Sequence, residues 1–530
     1  MEIANQQTYQ KEVKEGTVKK PVRSKAGVTV LTVVLKPRKC NHGTCVYCPG
    51  GETTPQSYTD KSPAIMRAMA FDYDIVKQVS ARLDALVKMN HPTDKIEVII
   101  LGGTFLQYEK EYQEYVIKST YDVLNGDYAY ASRDTEKRVR SKTLEAAKKL
   151  NEKAQHRVVA LCIENRPDNC SEEEIKQMLR FGTTRVEIGI QMPDNEIYKN
   201  INRGHTLQDV IEASKRLKDA GFKVGYHIMP GLPGSDPKKD IKLFKMIFDD
   251  ERFRPDQLKI YPCQIVAGAP LEKIAKVSGY KPYDEKTTKK VVEEMMKLIP
   301  EYCRIMRIMR EIPKELVVQG IEKLDLRKDI EDDLKKDNIH LREIRMREVG
   351  FQKILGKNIK LKIIEYDSSG GKELFLEIVD DKDILYGLLR LRFPSKNGNF
   401  IHELKDCAIV RELHVYGQAL ELEKIKNDFA KPSTFPQLAT SHTSTSLPLT
   451  TKSLALSPPD SKKNKNETAI SHENVAQHQG LGKQLMKEAE EISSKNGFKK
   501  IAVISGVGVR EYYKKMGYEL DGEYMVKKLS

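Results

Sequence analysis

Val28-Thr29-Val30-Leu31-Thr32-Val33-Val34-Leu35, four connecting residues, and then Cys40-Asn41-His42-Gly43-Thr44-Cys45-Val46-Tyr47-Cys48-Pro49-Gly50-Gly51 form the stretch from which the rest of the chain is read. An apolar, β-branched run predicts a strand, and the cysteine loop follows it directly. Three of the eight cysteines fall in this loop, at the spacing Cys-x4-Cys-x2-Cys. Three thiolates can hold three irons of a four-iron cluster and leave the fourth iron open to a small ligand. Zinc is a competing reading, with His42 as a fourth ligand, although zinc sites usually pair two close Cys-x2-Cys units. A plant-type ferredoxin begins with the same spacing but needs a fourth cysteine about one loop later, and none occurs until Cys162. Cys162, Cys170, Cys263, Cys303 and Cys407 read as small buried hydrophobes.

Downstream of the loop, strand-like runs at 96–101, 158–163, 186–190, 224–229 and 258–261 alternate with helical stretches at 62–89, 207–220 and 237–248. Such alternation predicts a parallel α/β sheet, a complete or partial barrel. Leu101-Gly102-Gly103-Thr104 closes one of these strands, where glycines let a ligand's amino and carboxylate groups approach the backbone. Glu187 and Gln191 flank a later strand end, and Lys259 ends another, with an ordinary solvated cation as the plain reading of the lysine.

After about residue 315 the pattern changes. Lys- and Arg-rich connectors lead to strands at 359–366, 373–379, 384–393 and 408–416, which predict a second, antiparallel sheet. A Ser-, Thr- and Pro-rich stretch from about 431 to 473 has too little apolar surface to fold and predicts a disordered insertion. Gln477-His478-Gln479-Gly480-Leu481-Gly482 then opens a helix, so backbone N–H groups and the helix dipole can hold a pyrophosphate. The pattern Gln-x-x-Gly-x-Gly is the GNAT acetyltransferase signature. Tyr512 or Tyr513, on a short helix near Arg510, is placed to donate a proton or hydrogen bond to a thioester sulfur. Two core aromatics are the alternative.

With 530 residues, two or three domains are expected. The formal charge of +14 favours a polyanionic partner through counterion release, or a thermophile-like surface. The longest uncharged apolar-rich run is far too short to span a bilayer and no signal peptide opens the chain, so a cytoplasmic enzyme with no membrane association is expected. Arg304, Arg307 and Arg310 alternate with apolar residues as candidate nucleic-acid groove residues, or as a half-buried edge strand.

The loop Cys40 to Gly51 resembles the cluster loop of radical S-adenosylmethionine enzymes, and specifically that of the Elongator catalytic-subunit family, archaeal type. Further similar segments are Thr54-Pro55-Gln56-Ser57-Tyr58, Glu164-Asn165-Arg166-Pro167-Asp168, Met229 to Gly234, and, near the C-terminus, Lys500 to Arg510 and Tyr512 to Tyr518. The first 26 residues, basic and poor in apolar side chains, read as a flexible arm or a disordered tail; the resemblance implies a radical S-adenosylmethionine domain of partial TIM-like barrel over 27–315, a linker region over 316–358 and a GNAT domain over 359–530. It implies a 4Fe-4S cluster on Cys40, Cys45 and Cys48, S-adenosylmethionine at Gly102 and Gly103, and contact of Lys259 with cofactor or substrate. Acetyl-CoA falls to Gln477, Gln479, Gly480, Leu481, Gly482 and Tyr513. The implied reaction forms 5-carboxymethyluridine at the wobble position of tRNA, using acetyl-CoA and a 5′-deoxyadenosyl radical, with Lys259, Tyr512 and Tyr513 as candidate catalytic residues. Partners would be the tRNA anticodon stem-loop and an electron donor, with a homodimer left open. Relatives are thought to bind zinc just before the segment matching Arg347-Glu348-Val349-Gly350, but Leu341, Glu343 and Met346 stand there and no zinc is expected. The rival reading is a protein-lysine acetyltransferase whose iron-sulfur domain is structural.

Overall fold

The computed structural model describes residues 24, 26–126, 141–323, 325–352, 356, 358–395, 400–416, 441–442 and 480–529. Short β-branched runs build a first sheet from β1 (Thr29–Val34), β2 (Lys95–Leu101), β3 (Arg157–Asn165), β4 (Arg185–Gln191), β5 (Lys223–Ile228) and β6 (Gln257–Ile260). After the two-residue β7 (Ile265–Val266), β8 (Arg304–Ile308) completes it. The seven strands lie in the order β1-β2-β3-β4-β5-β6-β8, every neighbouring pair parallel. β1 and β8 are its two edges and do not pair with each other, so the sheet is an open, curled half-barrel. One cavity is lined by residues from all seven strands, which places it inside the curl.

Helices cover the outer face, and their caps follow from sequence. Thr206 and Asp209 form a capping box at the start of Leu207–Asp219, and Ser171 and Glu174 do so for Glu172–Arg180; each satisfies backbone N–H groups that have no partner within the helix. The stretch 62–89, expected as one helix, is two: Pro63–Met69 and Ile75–Lys88. Asp72 and Tyr73 between them take φ of 49° and 58°, and Asp74 caps the second helix by accepting from the Lys77 N–H. A left-handed pair of residues cannot continue a right-handed helix.

Between the sheets, β9 (Val317–Gln319) pairs antiparallel with β7. The helix Leu326–Lys336 and the turn Ile344–Arg347 then lean on β8. Glu343 accepts from the Ile305 N–H at 3.1 Å and pairs with Arg327 at 2.8 Å. The second sheet has β10 (Lys360–Ser368), β11 (Gly371–Val379), β12 (Leu385–Phe393), β13 (Cys407–Val415), β14 (Ser441–His442), β15 (Lys500–Val503), β16 (Glu519–Asp521) and β17 (Tyr524–Lys528). Its order is β14-β10-β11-β12-β13-β15-β17-β16. The helix Leu481–Lys495 buries Leu485, Met486, Ala489 and Ile492 on it. Among the described residues, no helix is long and apolar enough to cross a membrane. Most of the arm over 1–26 and nearly all of the insertion over 431–473 lie outside the described residues.

The second sheet sits against the amino-terminal end of the half-barrel. Arg411 on β13 grips Asp256, just before β6, at 2.7 and 2.8 Å, and Glu373 on β11 at 2.9 Å. Arg392 on β12 holds Asp219 at 2.6 Å and Glu373 at 2.8 Å. Glu412 bridges Lys223 at 2.6 Å and Arg390 at 2.8 Å. All but Lys223 and Glu412 are fully buried, and every charge has an opposite partner, the condition under which burying charge is tolerated.

Candidate functional site

At the carboxyl ends of the barrel strands the loop after β1 folds back across the cavity mouth. Its turns are closed by Gly43 N–H to Cys40 O and Cys48 N–H to Cys45 O, both 3.0 Å. It is pinned from outside by Val46, whose N–H donates to Ile201 O at 3.0 Å and whose carbonyl accepts from the Leu271 N–H at 2.7 Å. These contacts aim Cys40, Cys45 and Cys48 into one cavity of about 670 Å³. Cys48 Sγ lies 2.9 Å from Ser57 Oγ, Cys40 Sγ 3.9 Å from Thr104 Oγ1, and Arg203 Nη1 donates to Cys45 Sγ at 3.5 Å. Burial pushes the Cys48 thiol up to about 11 and that of Cys40 up as well.

The donor set fits an iron-sulfur cluster on two grounds. The buried Arg203 Nε and Arg310 Nη1 have no hydrogen-bond partner, and both guanidiniums face the thiols, which suits a bound group of negative charge. Among the described residues the three sulfurs also do not close into a set within 4.8 Å of one another, as a single zinc with Zn–S bonds of about 2.3 Å would require. His42 does not complete a zinc set either. Its Nε2 accepts from Arg166 Nη1 at 2.9 Å, and burial together with Arg166 and Arg203 lowers its pKa to about 4.

At the end of β2, Gly103 lies on the cavity wall with Gly102 just behind it, at φ of 87° and 153°. A Cβ on Gly102 would lie 2.7 Å from Leu35 Cβ, and one on Gly103 would lie 3.4 Å from Gln56 O, so side chains are kept off this turn. Deeper in, Lys259 is no solvated cation. Its ammonium pairs with Glu164 at 3.1 Å and with Glu187, while Tyr58 Oη donates to Glu164 at 2.9 Å and His227 Nε2 lies 3.0 Å from Glu187. Below them Arg185 pairs with Glu97 at 2.8 Å and Glu187 at 3.4 Å. Gln191 is buried in a left-handed conformation, φ 61°, with its Oε1 unpartnered. Such backbone strain is found preferentially at functional sites.

Arg304, Arg307 and Arg310 divide between roles. Arg304 is half-buried against Glu348 and Tyr416, away from the cavity lining; Arg307 and Arg310 reach the cavity rim. The sequence carried no signal for Arg203, which reaches Cys45 across 158 residues, and Arg166 and Tyr58 were visible only inside quoted motifs.

A second site lies in the other sheet. β13 and β15 run parallel, pair over Cys407–Val410 and Lys500–Val503, and then part into a wedge. Gly480, at φ 85°, opens the helix Leu481–Lys495 beside this wedge. A Cβ on Gly482 would lie 2.8 Å from Tyr512 Oη and 3.7 Å from Val415 Cγ2, so the Tyr512 hydroxyl stands over the helix start. Tyr513 turns inward, 6% exposed, and packs edge-on to Tyr518. Gln477 and Gln479 lie outside the described residues. Glu412 is held by Lys223 and Arg390, and His414 Nε2 by the Ala26 carbonyl at 2.9 Å.

Both halves of the chain match known families. Residues 34–247 match the radical SAM superfamily model, 255–336 the radical SAM C-terminal domain and 469–528 the GNAT acetyltransferase domain. The tRNA uridine(34) acetyltransferase of Methanocaldococcus jannaschii is 42% identical over 96% of this chain and 86% of its own length. Elongator complex protein 3 of Danio rerio is 37% identical over 96% and 85%. The solved structure of the archaeal Methanocaldococcus infernus Elp3 with an N-terminus deletion superposes with a TM-score of 0.74 at 39% identity, covering 95% of this chain and 99% of that one. A thiol loop beneath orphaned arginines at one end of a half-barrel, and a splayed GNAT wedge at the other, place this chain in the family of tRNA uridine(34) acetyltransferases and Elongator complex protein 3.

Proposed function

We propose that this chain is a radical S-adenosylmethionine enzyme that forms 5-carboxymethyluridine at the wobble position of tRNA, drawing the two added carbons from acetyl-CoA. The observation that carries the reading is the cavity in which three cysteines, a glycine turn and a buried carboxylate–lysine network face one another. When bound, a reduced four-iron cluster supplies the electron that cleaves S-adenosylmethionine to a carbon radical. In this reading Cys40, Cys45 and Cys48 hold the cluster, and Arg203 and Arg310 balance its charge. The Gly102–Gly103 turn takes the amino acid end of S-adenosylmethionine, and Lys259 with its two glutamates forms the floor on which the reacting groups are oriented.

At the other end, the Leu481–Lys495 helix start receives the pyrophosphate of acetyl-CoA through Gly480, Leu481 and Gly482, with Gln477 and Gln479 ahead of it. The wedge where β13 and β15 part has room for the pantetheine arm. Tyr512 holds a proton for the departing thiolate; burial raises its pKa, which keeps the phenol protonated. Tyr513 supports it by packing. tRNA phosphates would supply most of the affinity for a chain of +14 formal charge, and the unstacked wobble base the specificity. An electron donor is required and a soluble, cytoplasmic setting fits the reaction. A purely structural iron-sulfur domain, as in a protein-lysine acetyltransferase, has no use for a polar cavity behind the thiols.

The test is mass spectrometry of tRNA nucleosides after anaerobic incubation with reductant, S-adenosylmethionine and methyl-labelled acetyl-CoA. Wild type is expected to place label in a wobble-uridine carboxymethyl group, and Cys45→Ala to place none. Unlabelled tRNA from cluster-loaded wild type would overturn the reading.

A further inference from the structure

Behind the thiols, the cavity floor presents hydrogen-bonding groups in a fixed order. Glu164 accepts from Tyr58 Oη on one carboxylate oxygen (2.9 Å) and from Lys259 Nζ on the other (3.1 Å). A carboxylate offers about four lone-pair positions, so two remain open toward the cavity. Lys259 has three ammonium protons and two carboxylate partners, Glu164 and Glu187, so one proton remains. The rings of Tyr261 and His227 stand edge to face, centroids 5.6 Å apart, and both line the same space. Gln191 Oε1, on a buried side chain that lines the cavity, has no hydrogen-bond partner. Buried polar atoms left open around a space of this size indicate a polar ligand.

Taking the wobble-uridine reading as given, we propose that Glu164 and Lys259 read the hydrogen-bonding edge of the uracil ring. The Glu164 carboxylate accepts the N3–H, and the remaining Lys259 proton goes to the ring carbonyl beside it. Uracil carries a donor at N3. Cytosine presents a lone pair there, which would face the carboxylate unpaired, and a site built to bond a donor rejects an analogue that lacks it. Tyr58 and Glu187 are positioning residues: they fix the carboxylate and the ammonium and touch no base. This explains why a lysine and two glutamates stand in the half-barrel core with every charge matched, where a structural core would use apolar side chains.

The experiment uses anticodon stem-loops identical except at the wobble position, which carries uridine, 3-methyluridine or cytidine. Binding to the full-length, cluster-loaded protein is read by fluorescence anisotropy, and modification of the uridine and 3-methyluridine loops by nucleoside mass spectrometry. Loss of one specific base contact predicts roughly a 10- to 100-fold lower kcat/KM for 3-methyluridine in the wild type. Glu164→Ala leaves room for the methyl group and no acceptor, so it should bring uridine and 3-methyluridine to within about threefold of each other, whereas Glu164→Gln should gain affinity for cytidine. Equal use of uridine and 3-methyluridine by wild type overturns the assignment even if the variants fail to fold. Wild type that modifies no uridine at all removes the functional reading, and this assignment with it.

Discussion

At the scale of single residues, the two tyrosines separate what their adjacency in sequence could not. Tyr512 puts its hydroxyl over Gly482, while Tyr513 is sealed against Tyr518. Tyr512→Phe is therefore expected to slow coenzyme A release by about 100-fold or more, the usual worth of a general acid. Tyr513→Phe should leave that rate within a few fold and cost chiefly stability; a thiol-trapping assay for free coenzyme A distinguishes the two. On the cluster side, Arg203→Met should lower iron content or the ease of cluster reduction without unfolding the barrel, since it removes a buried positive charge beside Cys45. Iron and sulfide assays and the reduced-cluster spectrum read this directly. Arg203 shows where reading a sequence stops. Its partner is 158 residues away, and no local pattern marks a side chain whose meaning comes from tertiary contact. Cys40, Cys45, Cys48 and the glycines were legible because metal ligation and close backbone approach demand those residue types at short spacing.

At the scale of elements, the first six barrel strands were legible to within two residues because buried parallel strands read as continuous apolar runs, whereas the charged edge strand Arg304–Ile308 was only one of two readings of its arginines. The split between Pro63–Met69 and Ile75–Lys88 was not, since Phe71-Asp72-Tyr73 contains neither glycine nor proline to announce the break. The Gly506-Val507-Gly508 turn is the clearest case of an element whose role only packing reveals. A Cβ on Gly506 would sit 2.0 Å from Val159 O, and one on Gly508 2.5 Å from Arg157 Cβ, so the turn lies flat on the backbone of β3. Gly506→Ala should push the acetyltransferase sheet off the barrel and destabilise the chain by about 1–3 kcal/mol, as overpacking does. Thermal unfolding would register it, and an unchanged midpoint would mean that the seam gives way elsewhere at little cost.

At the scale of the whole molecule, the seam is held by the arginines Arg390, Arg392 and Arg411 against Asp219, Asp256, Glu373 and Glu412. Arg411 and Arg390 outweigh burial and hold the Asp256 carboxyl far below the usual range; Lys223 and Arg390 do the same for Glu412. Carboxyls depressed in the folded state contribute stability that is fully present above their unfolded pKa, about 4, and is lost as pH falls below it. Asp256→Asn should accordingly cost about 3–5 kcal/mol at neutral pH, the price of one broken buried pair. It should also flatten the fall in unfolding midpoint below pH 4; a variant with the slope of the wild type would relocate the acid-sensitive step. The matched charges carry a consequence for descent. A different acetyltransferase grafted onto this barrel would bury Asp219 and Asp256 with no arginine to meet them. The two halves are thus poor candidates for shuffling between lineages, and any gene that keeps one of them active is under pressure to inherit both.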